Sequence, residues 1–101
     1  MNVSAVSSIA RSGMNAAQQH LDTAAHNIAN EATDGFRRQS VTQRELPGGG
    51  VTTTVEQAQT IGHDLPTDIV QQMSSSYTFE ANLRTIRTQQ DMLGTLLDMK
   101  A

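Results

Sequence analysis

The stretch "LDTAAHNIANEATDGFRR", residues Leu21–Arg38, decides how the rest of the chain is read. Its first half is an ordinary amphipathic helix. Asn27 and Asn30 then fall in the last turns, and the pattern stops at Asp34-Gly35, just before Phe36 and two arginines. Asparagine is a mediocre helix former, because its amide competes with the backbone for hydrogen bonds. Two of them before a glycine predict a helix terminus, with Gly35 supplying a positive φ and Phe36 folding over the helix seam.

Upstream, apolar residues keep helical spacing from Asn2 to about Asn30. Val3, Ala10, Ala17 and Ala24 recur every seventh residue, and so do Met14, Leu21 and Ile28, with Ser7 one heptad earlier. Together they form a two-column seam in which every position of one column after Val3 is alanine. Small residues let a partner helix approach closely but bury little area each. Gly13 in this stretch costs about 1 kcal/mol relative to alanine unless a neighbour packs against it.

Downstream, Arg37–Glu45 and Val51–Ala58 are rich in Thr, Val and Gln and flank "LPGGG". Proline followed by three glycines is turn chemistry, which predicts a β-hairpin turning at Pro47–Gly50. An isolated two-stranded hairpin is marginal in water, so this one must lean on something. The glycines are not a phosphate loop, since no Lys-Ser/Thr follows them.

Asp64 is placed to cap a final helix, with Pro66 tolerated in its first turn. In that helix Ile69, Leu83 and Leu97 share one heptad column with Ser76 and Gln90, and Phe79, Ile86 and Leu93 share the next, from Gln72 to Lys100. The expected helix-pair seam is therefore Met14, Leu21 and Ile28 against Leu83, Ile86, Leu93 and Leu97. A separate stripe, Met92, Leu96 and Met99, has no intramolecular partner in this scheme. The expected fold is mainly α: two long terminal helices, near Ser4–Asn30 and Leu65–Met99, in coiled-coil-like antiparallel pairing and linked by a β-hairpin. Exchange of an arm between chains is compatible with the same pattern. The 101 residues are expected to form one domain, divided as 1–35, 36–63 and 64–101.

Composition narrows the function. Only Phe36, Tyr77 and Phe79 are aromatic, so a core of Ala, Val, Ile, Leu and Met is thin and gains from partners. The net charge is −3 without a basic block, which disfavours nucleic acid. There is no cysteine, hence no disulfide or thiol nucleophile. The N-terminus has neither a cationic region nor a continuous apolar run, so it does not read as a cleaved signal, and no stretch reaches the roughly 20 apolar residues of a membrane span.

Catalytic chemistry has little support. His20 and His26 are six apart and share no helix face, and no HExxH or cysteine accompanies them, so no metal site is expected. Asp64 and Asp68 stand at i,i+4, but carboxylates in a first helical turn are explained by the helix dipole. Ser74-Ser75-Ser76 has no adjacent base. No catalytic residue and no cofactor is assigned, and an enzyme is rejected.

"AAHNIANEATDGFRR" resembles the N-terminal signature of the bacterial flagellar axial proteins, the rod, hook and hook-associated subunits. Leu21, Asp22, Asn27, Ile28, Ala29, Asn30, Thr33, Gly35, Phe36 and Arg38 carry the match. The closing segment, "YTFEANLRTIRTQQDMLGTLLDMKA", is similar to the family's last helix through Phe79, Glu80, Ala81, Asn82, Met92, Leu93, Gly94, Leu96 and Leu97. Two motifs at opposite ends, in the family's order, make the resemblance specific. His26 stands where many members have a further Asn. Members also usually carry a larger middle region; the short one here favours a proximal-rod type, or a rod-like paralogue with a specialised role.

The resemblance implies a structural subunit of the basal-body rod, assembling with copies of itself and other axial proteins through its terminal helices. It implies passage through the flagellar export apparatus without a cleaved signal, and a place in the periplasm-spanning rod. Under it, Asn27 and Asn30 become candidates for hydrogen bonds between subunits. The competing reading is a soluble coiled-coil adaptor or chaperone of the export pathway, which explains the helices but not both motifs.

Overall fold

The computed structural model describes residues 3–100, with the side chains of Val3 and Lys100 left out; the expectation placed on Val3's side chain, and the start of the periodicity at Asn2, lie outside what is described. The order is α1 (Val3–Ala29), β1 (Gln39–Glu45), β2 (Val51–Gln57) and α2 (Leu65–Lys100). This is the expected architecture: two helices packed closely along their length and joined by a two-stranded antiparallel hairpin.

The helices run antiparallel, as three contacts fix. Near the turn, Asn27 meets Asp68; midway, Gly13 faces Asn82; near α1's start, Ser7 Oγ donates to Gln89 Oε1 at 2.7 Å. At Gly13 a Cβ would lie 2.8 Å from Asn82 Oδ1, so any larger residue would have to displace the Asn82 amide from between the helices. This is the neighbour that offsets Gly13's poor helix propensity.

The core is made of small residues. Ala10, Ala16, Ala17 and Ala24 are the buried apolar residues, and no large side chain among those described is fully buried. The alanine column thus faces inward, whereas Met14, Leu21 and Ile28 are only half-buried along its flank. On α2, Leu83 and Ile86 are also half-buried, but Leu93 and Leu97 are exposed (42% and 60%). The expected seam is corrected here. Leu93 and Leu97 lie on α2's α1-facing side, but at 1.5 Å per residue the 36-residue helix outruns the 27-residue one by about 13 Å. Leu93 comes level with α1's first residues and Leu97 lies past them.

The hairpin leans on α1. Its register runs without a bulge from Gln39↔Gln57 to Glu45↔Val51. Leu46 N–H bonds the Gly50 carbonyl and Ala58 N–H bonds that of Arg38, so the ladder bonds fall on even-numbered pairs and the odd residues' backbone groups point outward. Two α1 side chains staple those outward edges. Asn27 holds Gln39 on β1, and Ser12 Oγ accepts from Val51 N–H on β2 at 3.1 Å. Asn27 and Ser12 are about 22 Å apart along the helix, and a seven-residue strand spans about 20–23 Å, so hairpin and helix match in length. At the tip Gly49 and Gly50 take φ of 96° and 87° against Ile9 and Ser12, where a side chain would be both strained and crowded.

Candidate functional site

The stretch that ends α1 builds a clamp. Asn27 is 4% exposed. Its Nδ2 donates to the Gln39 carbonyl at 2.8 Å and its Oδ1 accepts from Gln39 N–H at 2.9 Å, so the amide mimics one residue of a partner strand. The second Nδ2 proton reaches Asp68 Oδ1 at 3.4 Å. Asp68 is buried at 3% and forms a two-point ion pair with Arg38, Nε to Oδ2 at 3.3 Å and Nη2 to Oδ1. Arg38's pKa is raised, chiefly by that hydrogen bond and also by the charges of Asp68 and Asp64, against the opposing effect of burial. Four residues, three from α1, β1 and α2 and one from the segment before β1, thus satisfy one another, and no buried side-chain polar atom among the described residues lacks a partner.

This geometry corrects two expectations. Asn27 is not free to bond a neighbouring subunit, because both of its amide protons are used within the chain. Asn30 differs: it bonds locally at the surface, its Nδ2 donating to the His26 carbonyl at 2.9 Å and its Oδ1 accepting from Thr33 Oγ1 at 3.2 Å, with one amide proton to spare. Asp68 is the second correction. It belongs to a buried pair rather than acting as a helix-dipole carboxylate, and the residue that matters, Arg38, lies thirty positions away in sequence.

The rest of the signature forms the turn. Asn30 N–H and side chain cap α1, Phe36 N–H bonds the Thr33 carbonyl, and Gly35 takes φ 74° inside that turn. Phe36 is half-buried between two imidazoles, His26 at 5.5 Å and His63 at 6.0 Å between ring centroids. Ile28 is half-buried and Ala29 exposed. Across the clamp, Asp64 caps α2, its Oδ1 accepting from Thr67 N–H at 3.3 Å. Hydrogen bonds from Thr67's side chain and backbone hold Asp64's pKa below the ordinary value.

In the closing motif, Phe79 is half-buried, Asn82 sits on Gly13 with its Nδ2 bonding the Thr78 carbonyl, and Ala81 is exposed. Glu80 pairs with Arg84 one turn on, at 2.8 Å and on the surface. Beyond Gln89 the helix is bare: Met92 (61%), Leu96 (58%) and Met99 (78%) stand exposed with Leu93 and Leu97. Sequence reasoning missed a further exposed stripe on the opposite half of α2, Val70, Met73 and Tyr77. Their i, i+3, i+7 spacing was the signal.

An open groove of about 650 Å³, floored by Gly13 and Ala17, lies between the hairpin and α2. It brings His20 and Ser75 to one place but not into contact: Gln71 Nε2 lies between them, 3.4 Å from His20 Nδ1 and 3.1 Å from Ser75 Oγ. A hydroxyl–imidazole pair is therefore not made. No cluster of three potential metal ligands occurs among the described residues, and no described helix is long and apolar enough to cross a membrane.

A thin alanine core, a saturated polar clamp and a bare apolar helix end set this chain apart. The chain carries the N-terminal signature of the flagellar basal-body rod proteins: the family described as "Flagella basal body rod protein" matches residues 8–37, which run from within α1 through the turn to Arg37. That family's description is of a component of the flagellar basal body, and the match covers 30 of the chain's 101 residues. No curated protein matches the chain.

Proposed function

We propose that this protein is a rod subunit that self-assembles or co-assembles with other axial proteins, using the free end of α2 as its main contact. The observation that carries this reading is the bare end itself, where five large apolar side chains from Met92 to Met99 stand 42–78% exposed on a helix that has outrun its partner. An exposed cluster of that kind marks an interaction site. A contact between this end and a different surface of the next copy is heterologous, and heterologous contacts that do not close generate helical filaments. Export without a cleaved signal, through the flagellar apparatus, belongs to the same reading.

The test is Leu96→Asp. Leu96 is exposed, so the isolated subunit should keep its helicity and melting temperature, whereas an assembled interface would bury an unpaired carboxylate and fail to form. The expected result is a normally folded variant that does not enter rods and does not support motility. Normal incorporation of that variant would refute the reading. A closed, finite oligomer formed by the unaltered chain through the end of α2 would favour the adaptor instead.

A further inference from the structure

We infer that the outer edge of β2 is a second interaction surface, and that it pairs antiparallel with the same edge of a second copy to give a four-stranded sheet. The ladder uses the even-numbered residues, so the N–H groups of Thr53 and Val55 point away from β1 and have no hydrogen-bond partner among the described residues. Only the Val51 end of this edge is stapled, by Ser12. Between Thr52 and Val55 the edge also lacks proline, charge and bulge, the usual protections. "VTTTVEQ" is rich in β-formers, contains no Pro or Lys, and keeps an unbroken register with no bulge. β1 differs, because Asn27 blocks its edge at Gln39 and the rest of that edge opens into the groove beside α2.

The occupant is a second copy because the edge is complementary to itself. A two-fold axis through Thr54 sets Thr53 opposite Val55 of the other copy and Val55 opposite its Thr53. Both pairs are outward-facing residues, so each exchanges N–H···O bonds. The strand's one charge, Glu56, then falls opposite an uncharged Thr52, and no like charges meet. The solvent face of such a sheet, Ser40, Thr42, Arg44, Thr52, Thr54 and Glu56, is wholly polar, while Val55, 40% exposed, gains cover on the other face.

The experiment uses the full-length Leu96→Asp protein, so that contacts through the end of α2 do not contribute. Sedimentation should show a concentration-dependent dimer, with the Thr53 and Val55 amides protected from hydrogen exchange in the dimer and open in dilute protein. Val55→Pro removes only an outward N–H, a place where an edge strand tolerates proline, so the monomer's fold and melting should hold. By symmetry two bonds are lost, and dimer affinity should drop about tenfold or more. Thr54→Lys, on the solvent face, should set two ammonium groups side by side and weaken the dimer at low salt, with recovery at high salt. A strictly monomeric Leu96→Asp protein overturns the inference, and so does a dimer indifferent to Val55→Pro. Either result leaves the reading of α2's end intact; that reading in turn fails if Leu96→Asp assembles or if the unaltered chain closes a finite oligomer through α2.

Discussion

Asn27 carries more of the structure than its size suggests. Replacing it with Ala removes both bonds to Gln39 and the contact with Asp68, leaving strand groups and a carboxylate short of partners. Leaving a buried donor or acceptor unmade costs about 1–3 kcal/mol, so Asn27→Ala should lower stability by that order in a denaturant titration. Asp at this position should be worse at neutral pH: it still accepts from Gln39 N–H, but it cannot donate and it places a second carboxylate beside Asp68. Arg38→Ala strands Asp68, 3% exposed, without its cation. Breaking a fully buried pair costs about 3–5 kcal/mol; this pair is part-buried, with the Arg38 side chain 28% exposed, so the loss should fall below that range. A double-mutant cycle with Asp68→Asn should recover much of that loss, because the stranded charge is then gone. At this scale the sequence was partly legible. A terminus at Asn27–Gly35 follows from local chemistry. The pairing of Arg38 with Asp68 does not, because it depends on a fold that brings two distant elements together, and an aspartate near a helix start already has a sufficient local explanation in the dipole.

Among the elements, α2 begins with a cap whose strength depends on ionisation. Thr67's hydrogen bonds favour the carboxylate form of Asp64 and lower its folded pKa. A lowered folded value means that Asp64's contribution to stability is fully present above the ordinary carboxylate range and is lost as pH falls through the depressed value. The acid side of a stability–pH curve should therefore be shallower for Asp64→Asn than for the natural chain, while at neutral pH the variant still caps. Parallel acid branches would show that the cap contributes nothing through its charge. Helix and hairpin positions were legible throughout, since heptad spacing and "PGGG" are local signals. The seam was legible by direction but not by extent. Leu93 and Leu97 do continue the inward column, but the antiparallel register is set by Gly13 against Asn82 and Asn27 against Asp68, and it leaves α1 too short to cover them. The inward alanines also follow from that close approach, with the bulkier Met14, Leu21 and Ile28 displaced to the flank.

For the whole molecule, 64 × 25 × 13 Å, the register changes what a core substitution should do. Truncating a fully buried Leu costs about 2–5 kcal/mol, but Leu93 is 42% exposed and sits at the edge of the pair. Leu93→Ala should therefore shift the melting temperature of the isolated subunit only slightly, and its main effect should appear in assembly, as for Leu96→Asp. A large drop in monomer stability would mean that Leu93 is covered in solution. The unequal helix lengths have one more consequence. One end of the molecule is a flush, polar clamp and the other a single bare helix, so a row of subunits joined end to end has a heading, like an arrow. A pair related by a two-fold axis at the β2 edge has none, because its members point in opposite senses. The two contacts use different surfaces, so a symmetric pair would tie together two rows of opposite heading, whereas a single row that grows one way holds only unpaired subunits.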